Sequence, residues 1–137
     1  MKVSQKLEYA CRVCIQLAKS GGGERVSRVE DLAQKEAVSS NFLVQILNEL
    51  RRAGIVHSRR GKLGGYALAK PSQDITLAHI VKAIEGEVLA IDSDEKGDSG
   101  LRVSEVWQKV GRHVEDHMQA ITLEEMSSEE ALLEYYI

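Results

Sequence analysis

The chain is poor in aromatic residues, cysteine and long apolar runs, and each shortage argues against a particular class of protein. Aromatic residues make up 4% of it, which argues against a platform that stacks the bases of single strands. Two cysteines are too few for a disulfide framework and indicate a reducing compartment. No apolar run could span a membrane and no signal-peptide pattern is present, so we expect a cytoplasmic protein. No nucleophile–base pair or phosphate-cradling glycine loop stands out, and we expect no enzyme activity.

Charge is distributed unevenly between the two halves of the chain. Residues 1–71 hold 13 Lys and Arg against 6 Asp and Glu, and residues 72–137 hold 5 against 15, which together give the net charge of −3. The small net charge thus conceals a basic first half and an acidic second half, and this asymmetry points to a nucleic-acid partner for the first half. We expect the acidic half to face away from DNA.

Two helices joined by a short turn are predicted in the basic half. Ser27 and Glu30 form the capping-box pattern S-x-x-E, which predicts a short helix from Arg28. A second helix is predicted from Ser39 or Ser40. Its apolar residues recur at helical spacing and are Phe42, Leu43, Ile46, Leu47 and Leu50. Such a pair is a helix-turn-helix, whose second helix can enter the major groove of DNA.

A β-hairpin is predicted directly after this helix pair. Two arms of alternating apolar residues, Val56–Arg60 and Gly65–Ala69, flank a tip rich in glycine. Arg59, Arg60 and Lys62 lie at the tip, where cationic side chains suit the narrow, electronegative minor groove. A small charge cluster is usually just a solvated surface. Because this hairpin directly follows a helix pair in the sequence, we nevertheless predict a winged helix-turn-helix.

The remainder of the chain is predicted to be helical. One helix covers Gln5–Lys19, Thr76 caps another that runs through Glu85, and a polar acidic loop leads to a long helix over about Arg102–Ala120. The long helix has a seam of alternating four-three spacing, formed by Val103, Trp107, Val110, Val114, His117 and Ile121. We expect the seam to bury itself against a second copy, although packing on its own domain is the alternative. A homodimer would read two half-sites about one DNA turn apart.

The predicted fold class is therefore mainly α with a small β-hairpin wing. We divide the chain into a winged helix-turn-helix DNA-binding domain over residues 1–86, an acidic loop over residues 87–101, and a dimerisation helix with a C-terminal tail over residues 102–137.

Several motifs along nearly the whole chain resemble the Rrf2 family of bacterial winged-helix transcription regulators. They include F-L-V-Q-I-L-N-E-L-R-R-A-G-I-V, the wing R-G-K-L-G-G-Y-A-L and the segment I-T-L-A-H-I-V-K-A-I-E-G. The resemblance implies that the start of the second motif helix meets the major groove through Ser39, Ser40, Asn41 and Gln45. It implies that Arg59 and Lys62 reach the minor groove with Arg60 nearby. It also suggests that Tyr9 and Lys6 on the first helix touch phosphates.

One departure from the family concerns its iron–sulfur cluster. Members that bind a cluster carry three cysteines in the loop before the long helix, whereas residues 87–103 contain none here. Glu8 lies where some relatives supply a carboxylate ligand from the partner subunit, but it has no cysteines to complement. Because carboxylates are poor substitutes for three thiolates, we expect no cofactor and no [2Fe–2S] cluster of the usual type.

Two pairs of residues are candidate sensors in place of a cluster. Cys11 and Cys14 form a C-x-x-C pair, but they lie in mid-helix on the apolar face, which favours buried core cysteines over a redox motif. His113 and His117 are spaced i, i+4 and could share a metal ion. The sequence offers them no further ligand at matching spacing, so an interface pair of histidines is preferred and no metal site is predicted.

The C-terminus A-L-L-E-Y-Y-I resembles the ending of the CymR branch of the family, which also lacks the cluster cysteines. That branch forms a complex with O-acetylserine sulfhydrylase (cysteine synthase). The resemblance implies that Ile137 and its carboxylate enter the enzyme's amino-acid site while Tyr135 and Tyr136 add contacts. Packing of the tail on its own dimer is the alternative.

The preferred interpretation is a homodimeric repressor that controls cysteine or sulfur metabolism through a protein partner. A redox or nitrosative-stress regulator that senses through Cys11 is one alternative. A partner-binding adaptor that does not bind DNA is another, and the salt dependence of DNA binding separates it from the regulators.

Overall fold

The computed structural model describes residues 2–21 and 25–129, most of which form helices. In chain order the elements are α1 (Gln5–Lys19), α2 (Val29–Lys35), α3 (Ser40–Arg52), β1 (Val56–Arg59), β2 (Gly65–Leu68), a single 3₁₀ turn (Ser72–Asp74), α4 (Leu77–Glu85), α5 (Gly100–Gln119) and α6 (Leu123–Ser127). This is the predicted mainly helical fold with a two-stranded antiparallel hairpin. None of the helices is long and apolar enough to cross a membrane, as far as the described ranges extend.

Side-chain caps begin most of the helices. Ser4 accepts a hydrogen bond from the Leu7 amide at the start of α1, and Ser39 accepts one from the Phe42 amide at the start of α3. Such caps satisfy backbone N–H groups that have no partner inside the helix. The predicted start of α3 at Ser39 or Ser40 is thereby confirmed.

The predicted capping role of Ser27 is wrong. The residue that precedes α2 is Arg28, and α2 begins without a side-chain hydrogen bond. The backbone of Ser27 instead pairs with Tyr66 of the hairpin, and its hydroxyl donates to the Ser20 hydroxyl at 3.2 Å. An S-x-x-E pattern describes only four neighbouring residues, so it could not register a partner 39 positions away.

A single apolar core holds the helices and the hairpin together. Its fully buried side chains come from α1, α2, α3, α4, α6 and the hairpin, and the largest of them are Leu17, Leu32, Leu43, Ile46, Leu47, Leu50, Leu68, Ile75, Ile80 and Leu123. Burying a side chain of this size stabilises the fold by about 1.5–3 kcal/mol.

The segment after α5 returns to this core. Leu123 of α6 is fully buried, and the amides of Leu77 and Leu123 donate to the carbonyls of Ile121 and Ile75. Thr76 caps α4 as predicted, in a capping box where the Thr76 amide donates to Nδ1 of His79. The beginning of α4 is thus joined to the beginning of α6.

Helix α5 is mostly exposed to solvent in the single subunit. Of its 20 residues only Ser104 is fully buried, where its hydroxyl bonds with Ser93 and Gln108. Its large exposed apolar residues are Leu101, Val103, Val106, Trp107 and Val110. One side of α5 is therefore apolar and uncovered.

Candidate nucleic-acid interface

The first turns of α3 present polar side chains to solvent. Asn41 and Gln45 are exposed and lie four residues apart, so they project from the same face of the helix. Ser39 is exposed and bonded to the helix as its cap, and Ser40 is half-buried. The opposite face of α3 is anchored in the core by Leu43, Ile46, Leu47 and Leu50. Because amide side chains can pair bidentately with adenine, this face of α3 has the chemistry for reading base edges.

An aromatic pair connects α1 to the beginning of α3. The Tyr9 ring meets the Phe42 ring edge-on, with centroids 5.8 Å apart and planes at 83°. The Arg12 guanidinium lies 4.9 Å from the centre of the Tyr9 ring. Tyr9 and Arg12 are thus held beside the exposed turn of α3, where a phosphate contact of the kind predicted for Tyr9 is sterically reasonable.

Lys6 of α1 lies beside a later turn of α3 and already has a partner there. Its ammonium group contacts the Glu49 carboxylate at 2.6 Å. Glu49 is eight residues beyond Asn41, which corresponds to about 12 Å along a helix. Lys6 would have to leave this ion pair to contact a phosphate, and its predicted DNA contact has the weakest geometric support of the set.

The wing carries its cations at the exposed end of the hairpin. The strands pair antiparallel, Val56 with Leu68 at the base and Arg59 with Gly65 at the tip. Arg59, Arg60 and Lys62 are all exposed, as is Leu63, whose side chain is 87% accessible. The hairpin base is buried, so the tip is presented from a rigid support.

Two glycines allow close backbone approaches in the wing, Gly65 towards the segment before α2 and Gly64 within the hairpin turn. A Cβ atom on Gly65 would lie 2.4 Å from the Ser27 carbonyl oxygen, and one on Gly64 would lie 2.3 Å from the Arg59 oxygen. The Ser27 amide donates to the Tyr66 carbonyl at 2.7 Å, and the Tyr66 amide donates back at 2.8 Å. The G-G-Y sequence of the wing is therefore a docking feature as well as a turn.

The structure adds cations that the sequence patterns did not single out. Arg25, Arg28 and Lys35 lie around α2 and share a surface depression with Lys62 of the wing. The positive balance of residues 1–71 was the only sequence signal for them. Their convergence depends on the contact between the wing and the segment before α2.

Neither cysteine has the environment of a reactive thiol. Burial raises the pKa of Cys11 to about 11, and the Glu8 carboxylate adds to the rise. Cys14 is fully buried in the core, and burial raises its pKa still further. Since the thiolate is the nucleophile, both thiols should be poorly reactive at neutral pH.

The side chains do not fit an iron–sulfur cluster. In the described ranges, no group of three or more His, Cys, Asp or Glu side chains is placed to hold a metal ion. The loop before α5 has no thiolate donor, and both cysteines are on α1. His113 and His117 are exposed on α5, where their spacing puts them in line with the apolar side of the helix.

The predicted dimer seam is only partly uncovered in the single subunit. Val103, Trp107 and Val110 are exposed, but Val114 is partly buried and lines a depression with Leu7, Val81 and Met118 of its own chain. Ile121 is partly buried as well. The exposed side instead includes Val106, which is 60% accessible and was not part of the predicted seam.

Comparison with known proteins gives consistent matches along the chain. A family model named Rrf2, described as "Iron-dependent Transcriptional regulator", matches residues 3–129. The HTH-type transcriptional regulator CymR of Bacillus subtilis is 33% identical over 128 residues, which cover 93% of this chain and 91% of CymR. The HTH-type transcriptional regulator IscR of Cereibacter sphaeroides is 34% identical over 123 residues, 83% of this chain and 79% of IscR.

A solved structure extends the match to the fold. The structure of CymR (YrzC), described as the global cysteine regulator of B. subtilis, superposes with a TM-score of 0.79 at 31% identity and covers 93% of this chain and 96% of CymR. These similar proteins are transcription regulators and not enzymes.

Proposed function

The chain belongs to the Rrf2 family of transcription regulators, and we propose that it represses its target genes as a homodimer on a palindromic operator. The observation that carries the proposal is the joint presentation of two DNA-reading elements. The exposed polar turn of α3 and the cationic tip of the wing are anchored in the same core. Both elements are therefore held in fixed positions by the same core.

The two elements suit different grooves. Asn41 and Gln45 offer amide groups for base edges in the major groove, and Ser39 and Ser40 are next to them. Arg59 reads the narrow minor groove, with Lys62 and Arg60 beside it. A phosphate contact from Tyr9 helps to fix the position of the protein along the duplex.

The uncovered side of α5 supports the homodimer. Leaving Val103, Val106 and Trp107 in water forgoes apolar burial of about 25 cal/mol for each Å². Two copies that meet through α5 would cover these side chains and place two copies of α3 for adjacent half-sites. Three further residues of the predicted seam would take part in this contact between subunits. Val114 and Ile121 would lie at the edge of the contact, and the exposed His117 would lie at its end.

The signal in this proposal is a protein partner in sulfur metabolism and not a metal centre. The relative CymR is described as a global cysteine regulator, which favours control of cysteine or sulfur genes. Without thiolates in the loop before α5, no [2Fe–2S] cluster of the usual type is expected to bind. The raised pKa of Cys11 argues against redox sensing through that residue.

O-acetylserine sulfhydrylase is the proposed partner, and Tyr135, Tyr136 and Ile137 are its proposed contacts. These three residues lie outside the described ranges. Deleting Ile137 should abolish co-purification with the sulfhydrylase, because the terminal carboxylate would then belong to Tyr136 and the isoleucine side chain would be lost. Adding one glycine after Ile137 should do the same while it keeps the isoleucine. Unchanged co-purification of both variants would exclude the tail as the contact.

Selection of genomic DNA fragments by the purified protein tests the function directly. We expect enrichment of a palindromic motif upstream of genes for cysteine synthesis or sulfur uptake. Affinity for that motif should fall steeply as salt rises, since phosphate contacts release counterions. Enrichment at stress genes would favour the redox alternative. Absence of enrichment at low salt, with and without the sulfhydrylase, would contradict DNA binding and favour the adaptor.

A further inference from the structure

A cationic groove lies between α2 and the wing, and apart from Lys62 its lining residues are not among those proposed above to contact DNA. This α2–wing groove has a volume of about 470 Å³ and is lined by Arg25, Arg28, Asp31, Lys35, Lys62 and Leu63, together with neighbouring residues. Four of its lining side chains are cationic and one is acidic. The groove continues into a smaller depression that also contains Arg59 at the wing tip.

The cations of the groove are available for an external partner. Arg25, Lys35 and Lys62 are exposed, and none of them takes part in an ion pair with another described residue. Arg28 reaches the Glu30 carboxylate at 3.7 Å, with the two side chains 65% and 64% exposed. Exposed pairs of this kind contribute little to folding, so Arg28 can exchange its partner readily.

The two walls of the groove are held at a constant separation. The paired backbones of Ser27 and Tyr66 join the segment before α2 to the wing, with N···O distances of 2.7 and 2.8 Å. Gly65 allows the close approach. Arg28 directly follows this bridge in the chain, while Lys62 lies in the wing turn on the other wall. The cations are thus pre-positioned at no further ordering cost to the backbone.

We propose that the α2–wing groove binds the phosphate backbone of the operator in the DNA that flanks the base pairs read by α3 and the wing tip. The inference rests on the proposed function and adds Arg25, Arg28 and Lys35 to the DNA surface. The groove is continuous with Arg59 and Lys62, so a duplex seated on the wing tip runs on past it. Free cations without aromatic stacking partners suit phosphates and carry no sequence preference.

The shape of the groove favours a polymer backbone over a small organic anion. Sites for small ligands enclose most of the ligand among apolar and aromatic side chains. Here the charged lining residues are all exposed, and Leu32 is the one fully buried side chain among the described lining residues. Such a surface binds through charge at several points along an extended anion.

The test measures how tightly the protein binds two duplexes that contain the selected operator. One duplex is trimmed to the motif, and the other is longer at each end by about 5 bp, which is half a helical turn. The full-length wild type should bind the longer duplex more tightly. The double variant R28Q/K35Q should lose this preference, with at least ~10-fold weaker binding to the longer duplex at low salt. Its plot of log affinity against log salt should be shallower by about 2 for each bound subunit.

Matched variants separate the groove from general charge effects. R28K/K35R retains both charges and should behave as the wild type. K96Q/K109Q removes the same net charge from the acidic half and should leave the preference for the longer duplex intact. Thermal unfolding monitored by circular dichroism verifies that each variant is folded.

Three outcomes would overturn the inference. In the first, R28Q/K35Q keeps the wild-type salt slope and length preference while Asn41→Ala loses selectivity. In that case the groove does not bind the operator, and the proposed function stands. If the wild type shows no preference for the longer duplex, while inorganic phosphate binds the wild type and not R28Q/K35Q, the groove is a site for free anions and not for the operator. If the wild type selects no duplex at all, the proposed function fails and the groove proposal fails with it.

Discussion

At the scale of single residues, two kinds of side chain carry the proposed recognition of DNA. Asn41 and Gln45 are uncharged hydrogen-bonding groups on a rigid helix, whereas Arg59 is a charged group at the end of a strand. Amide groups read base edges in the major groove, whereas a cation in the minor groove responds to its width and negative potential. Substitutions at the two kinds of position should therefore differ in how their effect varies with DNA sequence.

Replacing Arg59 with alanine should weaken operator binding by about 1–3 kcal/mol and relax the preference at one position in each half-site. The loss follows from removing a cation from the narrow minor groove. Competition with duplexes that carry single base-pair changes measures both effects. Arg51→Ala, which removes an exposed cation at the far end of α3, serves as the control. A loss that is equal for all sequences would make Arg59 a phosphate contact.

Cys11 should react slowly with iodoacetamide at neutral pH. Burial and, to a smaller extent, the Glu8 carboxylate raise its pKa to about 11, because both disfavour the thiolate. At neutral pH the thiolate fraction is therefore smaller than in an unburied cysteine. The rate should increase with pH until the pH exceeds the raised pKa of the thiol. Mass spectrometry of the native and urea-unfolded protein provides the comparison, and a plateau near pH 7 would contradict the expectation.

At the scale of elements, the turn between α2 and α3 determines how the DNA-reading helix is oriented. Ala37 in this turn has a φ of 54°, the one positive φ of a non-glycine residue among the residues described. An L-residue in this left-handed region is strained by about 1–2 kcal/mol. The exposed Ala37 side chain makes no contribution to the core that would offset the strain.

Ala37→Gly should therefore stabilise the protein by about 1 kcal/mol, after the greater flexibility of glycine in the unfolded chain is deducted. Urea unfolding should show a higher midpoint with an unchanged slope. Ala53→Gly is the matched control, because Ala53 is also exposed after a helix but has a φ of −82°. It should destabilise by about 0.5–1 kcal/mol. Equal effects of the two substitutions would mean that Ala37 is not strained.

At the scale of the whole molecule, the single subunit has a surface that a second copy would complete. The exposed side of α5 runs along the helix, while α6 packs into the single apolar core through Leu123. Lys82 of α4 pairs with Glu115 of α5, so the helix is attached to the DNA-binding part of the chain. Covering α5 in a dimer would consequently orient two DNA-binding surfaces together.

Val106→Lys should make the proposed homodimer monomeric without unfolding the chain. Val106 is 60% exposed in the single subunit, so its substitution removes little from the core and places a charge in the dimer contact. Multi-angle light scattering after size exclusion should give a mass near the 15.2 kDa of one chain. Gln119→Lys adds the same side chain elsewhere on α5 and should remain dimeric. Equal masses for both variants would exclude this side of α5 as the interface.

Much of the fold followed from the sequence because its signals are local. Ser39 and Thr76 cap helices as predicted, since a cap depends on backbone groups no more than three residues away. The two arms of the wing were recognisable from alternation around a glycine turn. The same locality accounts for the error at Ser27, whose backbone is used by Tyr66 on a distant segment.

The amino-acid sequence by itself determined the helices, the wing, the basic half that holds the proposed DNA-reading residues, and the family to which the chain belongs. Tertiary structure decided which side of α5 is left uncovered, that Lys6 is engaged by Glu49, and that Arg28 and Lys62 face one groove. The division has a physical reason. Helix periods and caps depend on neighbours within one turn, whereas exposure and charge clustering depend on segments that meet only when the core forms.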